Sequence, residues 1–267
     1  MSDTYWDRQY NNRQIVTGFA DHIADWKTRT DEARAAYMPL HIPYGEHPRQ
    51  AVDLFRAPSP RGTLFFIHGG YWRAFSREDF AWIAPPFLAA GISVALPSYR
   101  LAPEVGIGEI ADDIEKALTT TWGRLGQHES QKLVISGHSA GGHLTAHCLS
   151  TKFEGKNAPQ ITGGISISGL YDLNPLIRTS MNDDLKLDAA SADRLSPLNR
   201  PRISAAPLLS VYGGLEPPEW HHQSDRLAAQ WPDVTSAALP QRNHFTALDA
   251  LADPEHDLHR QAIAMFA

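Results

Sequence analysis

Lys132 to Leu144 reads KLVISGHSAGGHL, an apolar run that leads into a serine set between two glycines. Glycine costs roughly 1 kcal/mol relative to alanine inside a helix. Gly137, Gly141 and Gly142 so close together therefore point to a turn with little room for side chains. G-H-S-A-G, between a strand expected to end at Ser136 and a following helix, has the form of a nucleophile elbow. In that arrangement the serine occupies a strained strand-to-helix turn with its hydroxyl raised above a sheet. Ser139 is the candidate nucleophile. The N–H of Ala140 is one of the free donors at a helix start, where the dipole favours negative charge, and can face a developing oxyanion. A second donor set follows the TLFFI run at His68-Gly69-Gly70-Tyr71. Gly69, Gly70 and Tyr71 are its expected oxyanion-hole positions, because glycine lets main-chain N–H groups approach a substrate oxygen.

A serine hydroxyl is a weak nucleophile without a base. Of the 13 histidines, His244 in QRNHFT lies beyond the last strand-like run, at the strand end where open α/β sheets gather ligands. It is the candidate base. His143, His147, His221, His222, His256 and His259 read as surface or packing residues. The acid is expected after the run PLLSVYGG, where Glu216 stands, with Glu219 and Asp225 as alternatives. The requirement is a carboxylate that accepts the imidazole Nδ1–H and stabilises the imidazolium. Tyr71 and Trp72 are candidate walls of an aromatic binding site. His138 and Tyr171 are further candidate substrate contacts. The segment after Tyr171 also offers Arg178, Asn182 and Arg194, and an arginine there can pair with a substrate carboxylate. The Cys and His spacings follow no zinc pattern, and acyl transfer of this kind needs neither metal nor organic cofactor.

These residues need a scaffold that brings distant loops to one place. TLFFIHGG (63–70), ISVALPSY (92–99), KLVISG, ITGGISISG and PLLSVYGG are compact apolar runs that read as buried parallel strands. Helix-like segments separate most of them, including GEIADDIEKALTTTWGRLG (108–126), with apolar residues at helical intervals. MPLHIPYG and QAVDLFRAP read as an antiparallel hairpin at a sheet edge. Residues 1–36 form an N-terminal extension containing a helix. The polar, proline-broken segment 171–207 reads as a cap or lid insertion. A helix around EWHHQSDRLAAQW, the strand-like DVTSAALP and a C-terminal helix after Asn243 complete a single α/β domain over 1–267, a mostly parallel sheet with helices on both faces.

Composition narrows the functional classes. The chain has 267 residues, 42% of them hydrophobic, and a formal net charge of −6. An acidic balance argues against a nucleic-acid footprint or a basic membrane-binding face. The single cysteine, Cys148, forms no internal disulfide, and the opening MSDTYWDRQYNNR lacks the apolar stretch of a secretory signal. No apolar run approaches the ~20 residues that span a bilayer. The expectation is a cytoplasmic protein acting on a small molecule, with a homodimer left open.

HGGYW (68–72), GHSAGGHL (137–144), SGLYDL (168–173), GGLEPPEWHHQS (213–224), RNHF (242–245) and the early YNNR (10–13) together resemble the kynurenine formamidase (arylformamidase) branch of the α/β-hydrolase fold. The likeness covers nearly the whole chain. It implies Ser139 as nucleophile, Glu216 as acid and His244 as base, and hydrolysis of N-formyl-L-kynurenine to formate and kynurenine. One position departs from part of the family, in which aspartate stands where this chain has Glu216. Related carboxylesterases and thioesterases share much of both motifs, so an ester or thioester substrate is the alternative. A non-catalytic binding protein on the same fold is a more remote one.

Overall fold

The computed structural model describes residues 4–267; residues 1–3 of the expected N-terminal extension lie outside the described residues. The extension folds into three helices, α1 (Thr4–Tyr10), α2 (Asn12–Ile15) and α3 (Phe19–Ala36). The hairpin follows as β1 (Leu40–Pro43) and β2 (Ala51–Phe55), antiparallel as expected. The βα alternation then runs through β3 (Thr63–Ile67), α4 (Ala84–Ala89), β4 (Ser93–Pro97), α5 (Ile107–Trp122), β5 (Leu133–His138), α6 (Ala140–Leu149) and β6 (Ile161–Ile167). After it come α7 (Asn182–Leu185), α8 (Ala189–Leu195), β7 (Leu208–Gly213), α9 (Pro218–Gln230), β8 (Val234–Leu239), α10 (Thr246–Ala252) and α11 (Asp257–Ala264).

The eight strands form one sheet in the order β1-β2-β4-β3-β5-β6-β7-β8, parallel from β4 to β8. Alternation along each strand divides the core into two layers. Phe65, Ile67, Leu133 and Ile135 join one apolar cluster with α5, α6 and α9. Leu64, Phe66, Val134 and Val94 join the other with α3, α4, α10 and α11. Full burial of one such side chain is worth ~1.5–3 kcal/mol. Runs buried on both faces therefore hold these strands in the centre of the sheet.

Three boundaries differ from the sequence reading. β5 continues past Ser136 because Gly137 and His138 still pair with Ser166 and Ile167 of β6, which carries the sheet to the residue before Ser139. The segment EDFAWIAPPFLAAG begins as short 3-10 turns and becomes α-helical only at Ala84, since Pro85 and Pro86 lack the N–H groups a longer helix would need there. The single C-terminal helix is two, α10 and α11, broken at Asp253-Pro254 for the same reason. Residues 171–207 fold into the small helices α7 and α8 with 3-10 turns at Asn174–Arg178 and Pro197–Asn199. These pack against α1, α6 and α9. Among the described residues no helix is long and apolar enough to cross a membrane.

Candidate active site

Ser139 has φ 58° and ψ −118°, a left-handed conformation that costs a non-glycine residue ~1–3 kcal/mol. The surrounding backbone holds it there. Its N–H donates to the carbonyl of Ile167 at 2.8 Å, and its own carbonyl accepts from the His143 N–H at 3.1 Å, the first turn of α6. The flanking glycines are needed for close approach. A Cβ on Gly137 would lie 2.1 Å from the Gly141 carbonyl oxygen, and one on Gly141 would lie 2.0 Å from the Ile67 carbonyl oxygen. Strand β3, strand β5 and helix α6 meet with no room for a methyl group, and that contact sets Ser139 above the sheet.

The loop after β3 lies directly against this turn. A Cβ on Gly69 would meet the His138 carbonyl at 2.8 Å and the Ser139 Cβ at 3.1 Å, so only glycine brings this backbone beside the serine. Gly70, Tyr71 and Trp72 all have positive φ. His68 anchors the loop: its ring lies parallel to Tyr99 at 4.2 Å and to Phe80 at 5.9 Å. Its Nδ1 contacts the Gly69 carbonyl at 2.8 Å, and the Tyr99 hydroxyl donates to the His68 carbonyl at 2.9 Å. Burial lowers the His68 pKa to about 3, so this anchor stays uncharged.

Glu216 and His244 meet on the other side. The turn after β7 and the loop after β8 are joined by main-chain bonds, Gly214 N–H to the Leu239 carbonyl at 2.8 Å and Leu215 N–H to the Arg242 carbonyl at 3.0 Å. Asn243 accepts from the N–H groups of Phe245 and Thr246 at 2.9 Å each and fixes the start of α10. Across this junction His244 Nδ1 lies 2.5 Å from Glu216 Oε1. Glu216 Oε2 accepts from the Ser168 hydroxyl at 2.7 Å and from the Gly213 N–H at 2.6 Å. Both side chains are buried. A buried carboxylate needs such donors to remain charged. A carboxylate that accepts Nδ1–H also leaves Nε2 of the same ring free to take a proton. The alternatives are engaged elsewhere: Glu219 accepts from Tyr5, and Asp225 accepts from Ser236.

Ser139, His138, His244, Gly69, Gly70 and Tyr71 line one partly open cavity with about 380 Å³ of empty space, its open mouth included. The rest of its wall is Asn12, Arg13, Phe19, Trp26, Phe75, Phe80 and Phe245. His138 was expected to touch substrate and is indeed on the wall, and its Nε2 also lies 2.8 Å from the His244 carbonyl. Burial, then the neighbouring His244, holds its pKa well below the usual histidine value, so Nε2–H donates to that carbonyl and steadies the loop carrying His244. Tyr71 is on the wall, and its hydroxyl donates to the Tyr10 carbonyl, which ties the N-terminal helices to the glycine loop.

Trp72 and Tyr171 are not on the wall. Trp72 is fully buried and packs edge-on against His143 at 5.1 Å. Tyr171 is fully buried with its hydroxyl between Ser166 at 2.6 Å and Ser210 at 2.8 Å. No wall residue comes from 171–207. Arg178 lies over the Trp6 ring, and Asn182 bonds the main chain of Leu187, so the expected carboxylate contacts from that segment have no counterpart at the cavity. Several other histidines hold packing positions, among them His143 on the Leu195 carbonyl, His147 on Glu115, His221 stacked on Tyr212 and His259 on the Leu251 carbonyl, whereas His222 is on the surface.

Sequence reasoning missed Asn12, Arg13, Phe19 and Trp26. The first two lie in the YNNR stretch, which pointed to kinship without assigning those residues a role. Trp26 of α3 packs against Phe75, Phe80, Trp82, His138 and Phe245, so the helix read as an extension of unclear role covers the site.

Comparison with known proteins agrees with this architecture. The family described as alpha/beta hydrolase fold matches residues 64–217, from β3 through the glutamate turn. Kynurenine formamidase of Salmo salar is 27% identical, covering 99% of this chain and 94% of that relative. The Danio rerio protein of the same name is 28% identical over 99% and 93%. A crystal structure from Silicibacter sp. TM1040, described as a candidate thioesterase, superposes with a TM-score of 0.89 at 35% identity, covering 97% of this chain and 98% of that one. The strained serine, the glycine loop beside it and this sequence kinship lead to one assignment: the chain belongs to the α/β-hydrolase family and is a hydrolase of kynurenine-formamidase-like type.

Proposed function

We propose that the protein hydrolyses a small acyl amide, an N-formyl arylamine such as N-formyl-L-kynurenine, with Ser139 as nucleophile, His244 as base and Glu216 as the carboxylate behind it. The observation that carries this reading is the 2.5 Å contact between His244 Nδ1 and buried Glu216 in a cavity shared with the strained serine. With Glu216 accepting Nδ1–H, the Nε2 lone pair takes the Ser139 proton as the oxygen attacks the formyl carbon. The N–H groups of Ala140 and of the Gly69 to Tyr71 loop stabilise the oxyanion. A single donor of this kind is worth about 2.7–4 kcal/mol in measured cases. His244 then protonates the departing arylamine nitrogen, and the formyl group remains on serine as an ester. Water, losing its proton to His244, attacks that ester, and formate and free serine result.

The wall supports an aromatic leaving group. Phe19, Trp26, Phe75, Phe80 and Phe245 offer flat apolar surface on the same cavity as Ser139 and His244, where offset and edge-on ring contacts are worth ~0.5–1.5 kcal/mol beyond area burial. The Salmo salar and Danio rerio relatives named kynurenine formamidase align over nearly their full length. We also propose a cytoplasmic location, with a small acyl amide as the substrate. The test is turnover of an N-formyl anilide beside short p-nitrophenyl esters. Preference for the amide is expected. A strong preference for esters would move the assignment to an esterase.

A second reading has its own support. The Silicibacter protein, 35% identical, is described as a candidate thioesterase, and the same residues would serve on a thioester. A short acyl thioester in the same assay separates the two.

A further inference from the structure

Asn12 is 2% exposed, and neither its Nδ2 nor its Oδ1 has a hydrogen-bond partner among the described residues. Buried amide groups are almost always satisfied, because an unmade hydrogen bond in a dry site carries the full desolvation penalty. This one lies on the cavity wall with Ser139, and it also borders the neighbouring cleft formed by Leu215, Glu216, Pro217 and Asn243. Arg13 adjoins it on the same wall. Its guanidinium lies over the Phe19 ring at 5.7 Å and pairs with no carboxylate among the described residues. Partial burial, then the neighbouring Arg73, lowers the Arg13 pKa, whereas Arg73 itself is neutralised by Asp184 at 2.6 Å. The cavity wall thus holds a cation that no carboxylate among the described residues pairs with, next to a buried amide that no described residue satisfies.

We propose that Asn12 and Arg13 form the specificity subsite for a carboxylate on the leaving-group side of the substrate, so that the enzyme selects acid-bearing N-acyl arylamines over uncharged ones. This rests on the acyl-amide hydrolase reading above. Arg13 supplies the planar fork that matches a carboxylate, and Asn12 adds a donor through Nδ2 while its Oδ1 can accept from a neighbouring ammonium. The aromatic ring of such a substrate lies between this pair and the serine, along Trp26 and Phe245. Both residues belong to the N-terminal segment, so substrate selection resides in the cover of the site and the chemistry in the sheet.

The experiment compares kcat/KM for N-formyl-L-kynurenine with that for N-formyl-2-aminoacetophenone, which keeps the ring and formamide but lacks the amino-acid end. In wild type the ratio should favour the carboxylate substrate. Arg13→Gln should lower that ratio at least tenfold, chiefly through KM, with Arg13→Lys recovering part of it and Arg13→Glu falling further. Asn12→Ala should lower it in the same direction, and because Arg13 is exposed, its series remains readable if the buried substitution unfolds the chain. A ratio that stays within twofold of wild type across the Arg13 series overturns the subsite while leaving the hydrolase reading intact. A wild-type enzyme that releases formate from neither compound overturns both.

Discussion

Glu216 is held by three donors, the Ser168 hydroxyl, the Gly213 N–H and the His244 ring. Each fixes a different part of its position. Glu216→Gln keeps the shape and removes the charge that orients the imidazole. The expected result is a fall in kcat of up to ~10⁴, as for the equivalent change in a well-studied triad, read by steady-state kinetics with the fold checked by circular dichroism. Ser168→Ala removes one bond to a charged acceptor, a loss of ~1.5–3 kcal/mol. It should lower kcat roughly tenfold with KM nearly constant; an unchanged kcat would show that the carboxylate is positioned without it. The meeting of His244 with Glu216 beside the cavity that Ser139 lines was legible in sequence, because a turn motif and a chain order mark these positions. The core placement of Trp72 and Tyr171 was not, since an aromatic beside a motif reads alike whether it turns to a cavity or to the core. Tyr71 and Trp72, both left-handed, break any alternation that a strand exit would suggest.

At the scale of elements, the elbow depends on how closely three main chains approach. Gly141→Ala would place a methyl group 2.0 Å from the Ile67 carbonyl, which neither a strand nor a helix start can relieve by a side-chain rotation. A loss of ~3 kcal/mol or more is expected, within the range for overpacked or strained sites. Urea unfolding checks it, and a midpoint equal to wild type would contradict the packing described. The buried strands were legible because apolar runs of strand length have few other uses. The docking of α3 was not. It buries only Trp26, Thr30 and Ala33, too few positions to make an apolar stripe, so its charged sequence reads as a solvent-facing extension. Trp26 carries most of its aromatic contact, and Arg29 and Arg34 add ion pairs to Asp249 and Asp53. Trp26→Ala should remove a cavity wall and lower kcat/KM for an aromatic amide by at least tenfold, with a stability loss of ~3–5 kcal/mol, read by kinetics and thermal melting. The segment 171–207 shows the opposite case. Its prolines and polar residues look like a lid, yet Leu173, Leu176 and Leu198 are buried, and its apolar residues are spaced too irregularly for a helix or strand reading to reveal that.

For the molecule as a whole, three histidines are buried without charge. Burial lowers His68 and His143 to about 3 and holds His138 well below the ordinary value. The unfolded chain takes up these protons near the model-peptide value of about 6.5, long before the folded one does. Stability from these groups is therefore complete above that pH and declines as pH falls through it toward the folded values, by up to ~1.4 kcal/mol per pH unit for each. Urea midpoints taken from pH 7.5 down to pH 5 should fall steadily, and a flat profile would contradict neutral burial. The parallel strand order, legible from the strand pattern, places the serine turn, the glycine loop and the histidine loop together at the carboxyl ends of the strands. The covering of those ends by the N-terminal helices was beyond reach of periodicity, because it rests on a few aromatic and polar contacts far apart in the chain.

The most direct test is formate release from N-formyl-L-kynurenine by the wild-type protein and by Ser139→Ala under identical conditions, followed together with the appearance of kynurenine. Equal amounts of both products from wild type, and a rate at least ~10³ lower in the variant, are the expected result. Release of formate by Ser139→Ala at the wild-type rate, or none from the wild-type protein, would contradict it.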